Sequence, residues 1–196
     1  MTGIIILAAG SSSRLGTPKQ NLVYRGQTLL QRAVEVACSS VCKPVIVVLG
    51  ANEDAIKPTI KTTPVTIIYN PDWHEGMASS IRLGVKEIQK SAPAVTSVIL
   101  MLCDQPFVDV NLLNTLVEIK TTSEADIVAS AYNNTIGVPV LFGSTYFDDL
   151  LSLRGQEGAK KLLMKHKEGV VSVPFPLGSV DIDTVEDYEK VKNNYQ

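Results

Sequence analysis

Residues 4–9 read Ile-Ile-Ile-Leu-Ala-Ala and run directly into Gly10 and the serines Ser11, Ser12 and Ser13. No polar side chain falls on either face of that run, so a strand built from it needs apolar cover above and below. A parallel sheet coated on both faces by its crossover helices meets that condition. Short runs rich in Val and Ile recur at 44–49, 65–69, 97–102, 126–132, 138–142 and 170–174. Segments of helical period separate them. Thr28 and Gln31 form a capping-box pattern on the stripe Leu29, Leu30, Ala33, Val34 and Ala37. Met77, Ile81, Val85 and Ile88 make a second stripe, ended after Ser91 by Pro93, whose ring cannot continue the backbone ladder. Leu112, Leu113, Leu116 and Ile119 mark a third helix, and 159–167 and 184–195 two more, the last rich in charge. The pattern predicts an α/β protein, a three-layer α/β/α sandwich on a mostly parallel sheet. One domain over 1–196 is expected, because 196 residues fall short of the roughly 250 at which cores divide.

Hydrophobic residues make up 45% of the chain and charged residues 19%, which supplies a buried core and leaves no case for disorder. A net charge of -2 gives no general attraction to nucleic acid or an anionic membrane, so any basic site must be local. The opening apolar run is too short for a signal-peptide core and lacks basic residues ahead of it, which makes the cytoplasm the expected location. No segment is long and apolar enough to span a bilayer. Cys38, Cys42 and Cys103 are too few for a disulfide scaffold. Cys38, Cys42 and His74 lack the short-loop spacing of zinc sites, and the thiols read as small buried hydrophobes.

The small residues after the first run carry a functional signal. Ala8, Ala9, Gly10 and the three serines hold little bulk, so backbone N–H groups can approach an anion closely. Arg14 and Lys19 follow where a chain of phosphates needs neutralising. Two common phosphate loops do not fit. A Walker A loop has four residues between its first glycine and Gly-Lys, whereas five separate Gly10 from Gly16, and Thr17-Pro18 come next. A dinucleotide fingerprint needs a glycine where Ser12 stands.

The stretch "LAAGSSSRLGTPKQ" resembles the signature loop of the MobA-like nucleotidyltransferases, a group that includes molybdenum cofactor cytidylyl- and guanylyltransferases. The segments "GMASSIRLG", "MLCDQPFV", "GVPVLF", "GAKKLL" and "DIDTVEDY" fit the same family in the same order. The resemblance implies a Rossmann-like nucleotidyltransferase core and an Mg2+-dependent transfer of CMP from CTP to the phosphate of a molybdopterin-type acceptor, with release of pyrophosphate. It implies nucleotide contacts from Leu7, Ala8, Ala9, Gly10, Arg14, Lys19, Gly76, Ser79, Ser80 and Asp104, of which Arg14, Lys19 and Asp104 are catalytic. It implies acceptor contacts from Gly137, Pro139 and Phe142, magnesium on Asp104 and Asp183, and a molybdenum hydroxylase as recipient of the product. Ala9 and "CDQP" resemble the cytidylyl branch. Gln156 stands where relatives usually carry aspartate, which leaves the identity of the acceptor open.

The residues also carry readings of their own. Asp104 follows the apolar run 97–102 and should project at the carboxyl end of the sheet, where open α/β folds bind ligands; an aspartate that forms a turn before Pro106 is the plainer alternative. Asp181 and Asp183 point the same way on an extended backbone, but Asp183 with Glu186 also reads as a capping box. Gly76 to Ser80 opens a helix and offers free N–H groups and hydroxyls, with Trp73 and His74 at its border. In-line attack by the acceptor phosphate on the nucleotide's α-phosphorus needs no protein nucleophile. The rival readings are another cytidylyltransferase, a sugar-phosphate nucleotidyltransferase, and a carrier or insertion factor for molybdenum hydroxylases that binds nucleotide without turnover.

Overall fold

In the computed structural model, which describes residues 1–194, the first strand is buried along its whole length, as its two apolar faces require. In chain order the elements are β1 (Thr2–Ala8), β2 (Val23–Tyr24), β3 (Gln27–Thr28), α1 (Leu29–Ser39), β4 (Val45–Leu49), α2 (Glu53–Ile60), β5 (Thr66–Tyr69) and α3 (Met77–Ser91). The second half continues with β6 (Ser97–Leu102), α4 (Val110–Ser123), β7 (Ile127–Tyr132), β8 (Thr135–Gly143), α5 (Phe147–Ser152), α6 (Ala159–Lys165), β9 (Val170–Pro174) and α7 (Val185–Asn194). Tyr195, the last position of the expected final helix, lies outside the described residues.

Seven strands form the sheet in the order β5-β4-β1-β6-β8-β7-β9. β1 pairs in parallel with both β4 and β6, which places the ends of these three strands at one edge. Only β8 runs against the rest of this sheet. Its reversal comes from Asn133 and Asn134, both at positive φ (46° and 57°), the backbone of a two-residue hairpin turn that asparagine tolerates well. The sheet is mostly parallel, as expected, and this Asn-Asn pair is the local signal for the exception. Pro139 lies at the irregularity in the β7–β8 ladder, where no ladder hydrogen bond is required of it.

Alternation along the strands divides the core. Ile4, Ile6, Val45, Val47, Ile99 and Met101 face α1, α2 and α4. Ile5, Leu7, Ile46, Val48, Val98 and Leu100 face α3, α5 and α6. Each face thus buries its own apolar layer, and the three-layer sandwich follows. A third, small cluster of Tyr24, Leu29, Ile182 and Val191 seats α7 against the β2–β3 hairpin, helped by the Tyr188 hydroxyl, which donates to Val23 O at 2.7 Å. Helices α2 and α5 are not evident from the sequence pattern, since each is short and brings only two buried side chains to the core. Among the described residues no helix is long and apolar enough to cross a membrane.

Candidate functional site

The chain leaves the sheet at the carboxyl ends of β1, β4 and β6 and opens a cleft there. Its first wall is the loop after β1. Gln20, fully buried, donates its amide to Ala8 O at 2.8 Å and to Gly10 O at 3.0 Å, which braces the loop from inside. Ser12 sits at positive φ (55°), and its Oγ accepts from the Lys19 amide at 2.9 Å, so the loop folds back and returns Lys19 to the strand ends. Ala51 N donates to Ala9 O at 3.0 Å, and a Cβ at Gly50 would stand 2.8 Å from both the Ala9 carbonyl oxygen and its Cβ. Glycine is what permits this approach of β4's exit to the loop.

The second wall carries the acids. Asp104 emerges just past β6, and its carbonyl accepts from Ile182 N at 3.1 Å, which draws residues 181–183 across the cleft. The Lys19 ammonium donates to both Asp104 Oδ2 and, at 2.8 Å, Asp183 Oδ1. Arg14 Nη2 donates to Asp183 Oδ2 at 2.9 Å. The structure therefore joins Arg14, Lys19, Asp104 and Asp183 in one cluster. It also resolves the capping question, because the cap of α7 is made by Thr184 and Asp187: the Asp187 amide donates to Thr184 Oγ1 at 3.2 Å and the Thr184 amide to Asp187 Oδ2 at 3.0 Å. Asp183 is left to the cleft.

Burial works against the Lys19 charge, but the neighbouring Asp104 carboxylate and the hydrogen bonds to Asp104 and Asp183 outweigh it and hold the ammonium above the ordinary lysine range. Partial burial likewise opposes ionisation of Asp183, yet Lys19 and Arg14 prevail and lower its pKa. Asp181 moves the other way: burial, with the Asp104 and Asp183 carboxylates nearby, raises it. Burial first, and the adjacent Asp104 charge second, push the Cys103 thiol up to about 12, so it is neutral at physiological pH.

Asp104 Oδ1 is buried without a hydrogen-bond partner. An orphaned oxygen on a carboxylate that shares Lys19 with a second carboxylate suits a hard, oxygen-seeking cation. Among the described residues no group of three or more His, Cys, Asp or Glu side chains could enclose a metal. Asp104 and Asp183 fit an ion that takes its remaining ligands from phosphate and water, which is how Mg2+ is commonly bound.

Leu7, Ala8, Ala9, Gly10, Lys19, Gly76, Ser80 and Asp104 all line one cavity of about 300 Å³, as do Trp73, His74 and Gln156. Ser79 does not reach it. Its hydroxyl donates to Gly76 O at 2.8 Å and accepts from the buried Asn70 amide at 2.8 Å, so it shapes the start of α3. Ser80 also accepts from Asn70, at 2.9 Å, but borders the cavity. Arg14 stands at the rim, its side chain 67% exposed.

A second cavity of about 320 Å³ adjoins the first and shares Leu7, Met77, Leu102 and Gln156 with it. Gly137 lines this second space. Pro139 and Phe142 do not. Phe142 is fully buried in the core between sheet and helices, where it can touch no ligand, and Pro139 O accepts from the buried Ser130 hydroxyl at 2.7 Å. Phe142 shares a face of β8 with Ile136 and Val138, which line the second cavity, but lies farther along the strand against Tyr146.

Sequence reasoning gave no role to Gln20 or Asn70, whose amides build the loop and the α3 start; each acts on backbone or hydroxyl groups that only the fold brings near. Gln156 was noted, but its position between the cavities was not legible. That position is fixed by Gly155, whose carbonyl accepts from Ala78 N at 3.1 Å, and by Glu75 and Arg82, paired at 2.6 Å, with Arg82 also donating to Leu153 O at 2.8 Å.

Residues 4–170 match the MobA-like NTP transferase domain. Nicotine blue oxidoreductase of Paenarthrobacter nicotinovorans is 28% identical over a 204-residue alignment that covers 100% of this chain and 95% of that protein. The molybdenum cofactor cytidylyltransferase of Escherichia coli (strain K12) is 23% identical over 192 residues, covering 97% of this chain and 95% of its own. The crystal structure of Rv0371C from Mycobacterium tuberculosis H37Rv in complex with manganese matches with a TM-score of 0.82 and 27% identity, over 97% of each chain.

Proposed function

The chain belongs to the MobA-like NTP transferase family, and from that footing we propose that it transfers a cytidylyl group from CTP to the phosphate of a molybdopterin-type acceptor, releasing pyrophosphate. The observation that carries the reading is the Lys19 ammonium held between Asp104 and Asp183, beside the narrow Ala8–Gly10 loop. A site with this composition has positive charge for phosphates and oxygen ligands for a cation, and little else. That suits phosphoryl-type transfer, where positioning and electrostatics do most of the catalysis.

In this reading the loop amides after β1 and Lys19 receive the triphosphate, and Arg14 closes over it from the rim. Asp104 and Asp183 would hold Mg2+, which offsets the charge gathered on the leaving pyrophosphate. The base lies toward Gly76, Ser80 and Trp73. The acceptor enters by the second, apolar cavity, whose common border with the first includes Gln156. Lys19 and Arg14 stabilise negative charge as it moves toward the leaving group, and no side chain is needed as nucleophile. The cytoplasm, with a molybdenum hydroxylase as recipient of the product, is the setting that this activity implies.

The test is to incubate purified protein with Mg2+ or Mn2+, each of the four nucleoside triphosphates and candidate phosphorylated acceptors, and to identify products by mass. A cytidylylated pterin with stoichiometric pyrophosphate is expected. Saturable CTP binding without pyrophosphate release would favour a carrier, and transfer to a different acceptor would move the protein to another branch of nucleotidyltransferases. Consumption of an electron donor without pyrophosphate would favour a redox activity of the kind named for the Paenarthrobacter relative.

A further inference from the structure

We infer that the carboxylate pair accepts a divalent cation as a metal–nucleotide complex and not as the free ion, because Lys19 occupies the pair until a phosphate draws it off. The inference rests on the reading of the cleft as a nucleoside triphosphate site. It concerns the form in which the ligand must arrive.

Both oxygens of Asp183 are already held by cations: Oδ1 by Lys19 at 2.8 Å and Oδ2 by Arg14 at 2.9 Å. Lys19 also holds Asp104 Oδ2, leaving Asp104 Oδ1 as that side chain's one oxygen without a partner. A magnesium or manganese ion shared by the two carboxylates would sit about 2.1 Å from an oxygen of each. An ammonium that already touches both lies in the same space, so ion and ammonium exclude each other.

The charges show why the free ion fares badly. Within the hydrogen-bonded cluster two carboxylates balance one ammonium and one guanidinium. A lone dication must displace Lys19, whose side chain is only 18% exposed, and leave that cation without its partners beside two new positive charges. A nucleotide changes the balance. Its phosphates give Lys19 a new anion to hold at the moment the metal takes the carboxylates, so metal and nucleotide bind with positive coupling.

The test measures Mn2+ binding from the free-ion electron spin resonance signal, with no acceptor present. Wild-type protein should bind Mn2+ at least tenfold more tightly with a nucleoside triphosphate than without, after the Mn2+ held by the same nucleotide in protein-free solution is subtracted. Lys19→Met should raise affinity for Mn2+ alone at least tenfold, whereas Lys19→Arg, which keeps a cation on the acids, should stay near wild type. Adding Asp104→Asn to Lys19→Met should remove the gain. Equal Mn2+ affinity in wild type and a folded Lys19→Met would overturn the inference. Should Lys19→Met fail to fold, thermal melting of the wild-type protein decides: Mn2+ alone is expected to leave the midpoint unchanged while Mn2+ with nucleotide raises it, and an equal rise with Mn2+ alone would overturn the inference. All four triphosphates are tried. Tight Mn2+ binding without nucleotide defeats only this inference, whereas no triphosphate binding at all defeats the proposed function.

Discussion

At the residue scale the cleft depends on two kinds of side chain, those that face the ligand and those that hold the backbone facing it. Asp104 is of the first kind. Asp104→Ala should keep the fold and lower pyrophosphate release by at least about 100-fold, the scale on which a single preorganised electrostatic contact counts; near-normal turnover in steady-state assays would remove Asp104 from the mechanism. Gln20 is of the second kind. Its amide satisfies two carbonyls, Ala8 O and Gly10 O, from a fully buried position. Gln20→Leu preserves bulk but removes both bonds; the buried Ala8 carbonyl loses a partner at about 1–3 kcal/mol, whereas the exposed Gly10 carbonyl can turn to water. Denaturant titration should show a loss of about 1–3 kcal/mol, and the Michaelis constant for nucleotide should rise because the loop is no longer braced. The contrast accounts for which residues were legible in the sequence. Arg14, Lys19 and Asp104 are legible because charged side chains at or after a strand end, close to residues too small to pack, point to an ionic ligand by their chemistry; Asp183 is reached through the family resemblance, since on its own it also reads as a helix cap. Gln20 and Asn70 are not, since a buried amide is interpretable only with the groups it bonds.

At the element scale the periodic stripes were reliable guides. Leu30, Ala33, Val34 and Ala37 enter the core as α1's spacing predicts, and the capping box at Thr28 and Gln31 forms with both of its hydrogen bonds. Thr28→Ala should therefore cost about 1 kcal/mol in chemical denaturation, the usual loss for a cap of this type. What the stripes could not show was direction or partnership: β8 reverses through two left-handed asparagines, and Phe142 lies beyond the β8 residues that border the second cavity. Nor could they show how the turn before α3 meets residues 153–156. That junction depends on Gly76, at φ 123°, where an added Cβ would lie 2.4 Å from Gly155 O. Gly76→Ala must strain its own backbone and push the Gly155–Gln156 segment away. It should destabilise the protein by at least about 1–3 kcal/mol and weaken the border between the two cavities. The kinetic signature is a larger loss for the acceptor than can be restored by saturating nucleotide.

For the whole molecule, the ionisable groups predict a plateau of stability bounded on both sides. Asp183, Asp126 and Asp149 are lowered from the ordinary value of 3.8, and Glu75 and Glu157 from 4.5. For Asp183 partial burial opposes the shift and Lys19 and Arg14 overcome it; for the others a hydrogen bond from a nearby cation leads. A depressed carboxylate binds fewer protons in the folded chain than in the unfolded one, so its contribution is complete above the ordinary value and is lost as pH falls through the folded value. Asp181, raised, acts in the opposite sense over the same range, but it is one group against six, since Asp187 is lowered too by its hydrogen bond from Thr184. Stability should thus decline below about pH 4.5, more gently in high salt because most of these pairs lie near the surface. The alkaline side is set by buried groups. Cys42 and Cys103 are raised above 9.0 mainly by burial, and Lys19 above 10.5 by its two acids in spite of burial. These contributions are present below the ordinary values and vanish as pH rises through the folded ones, since the unfolded chain gives up its protons first. Urea titrations from pH 3 to 11 should show the plateau between about 5 and 8.5. Cys42→Ala, remote from the cleft, should reduce the steepness of the decline above pH 9 by up to about 1.4 kcal/mol per pH unit, the contribution of one proton. An unchanged slope in that variant would mean that the thiol at 42 ionises as readily inside the fold as outside it, and that the packing under α1 is looser than its complete burial implies.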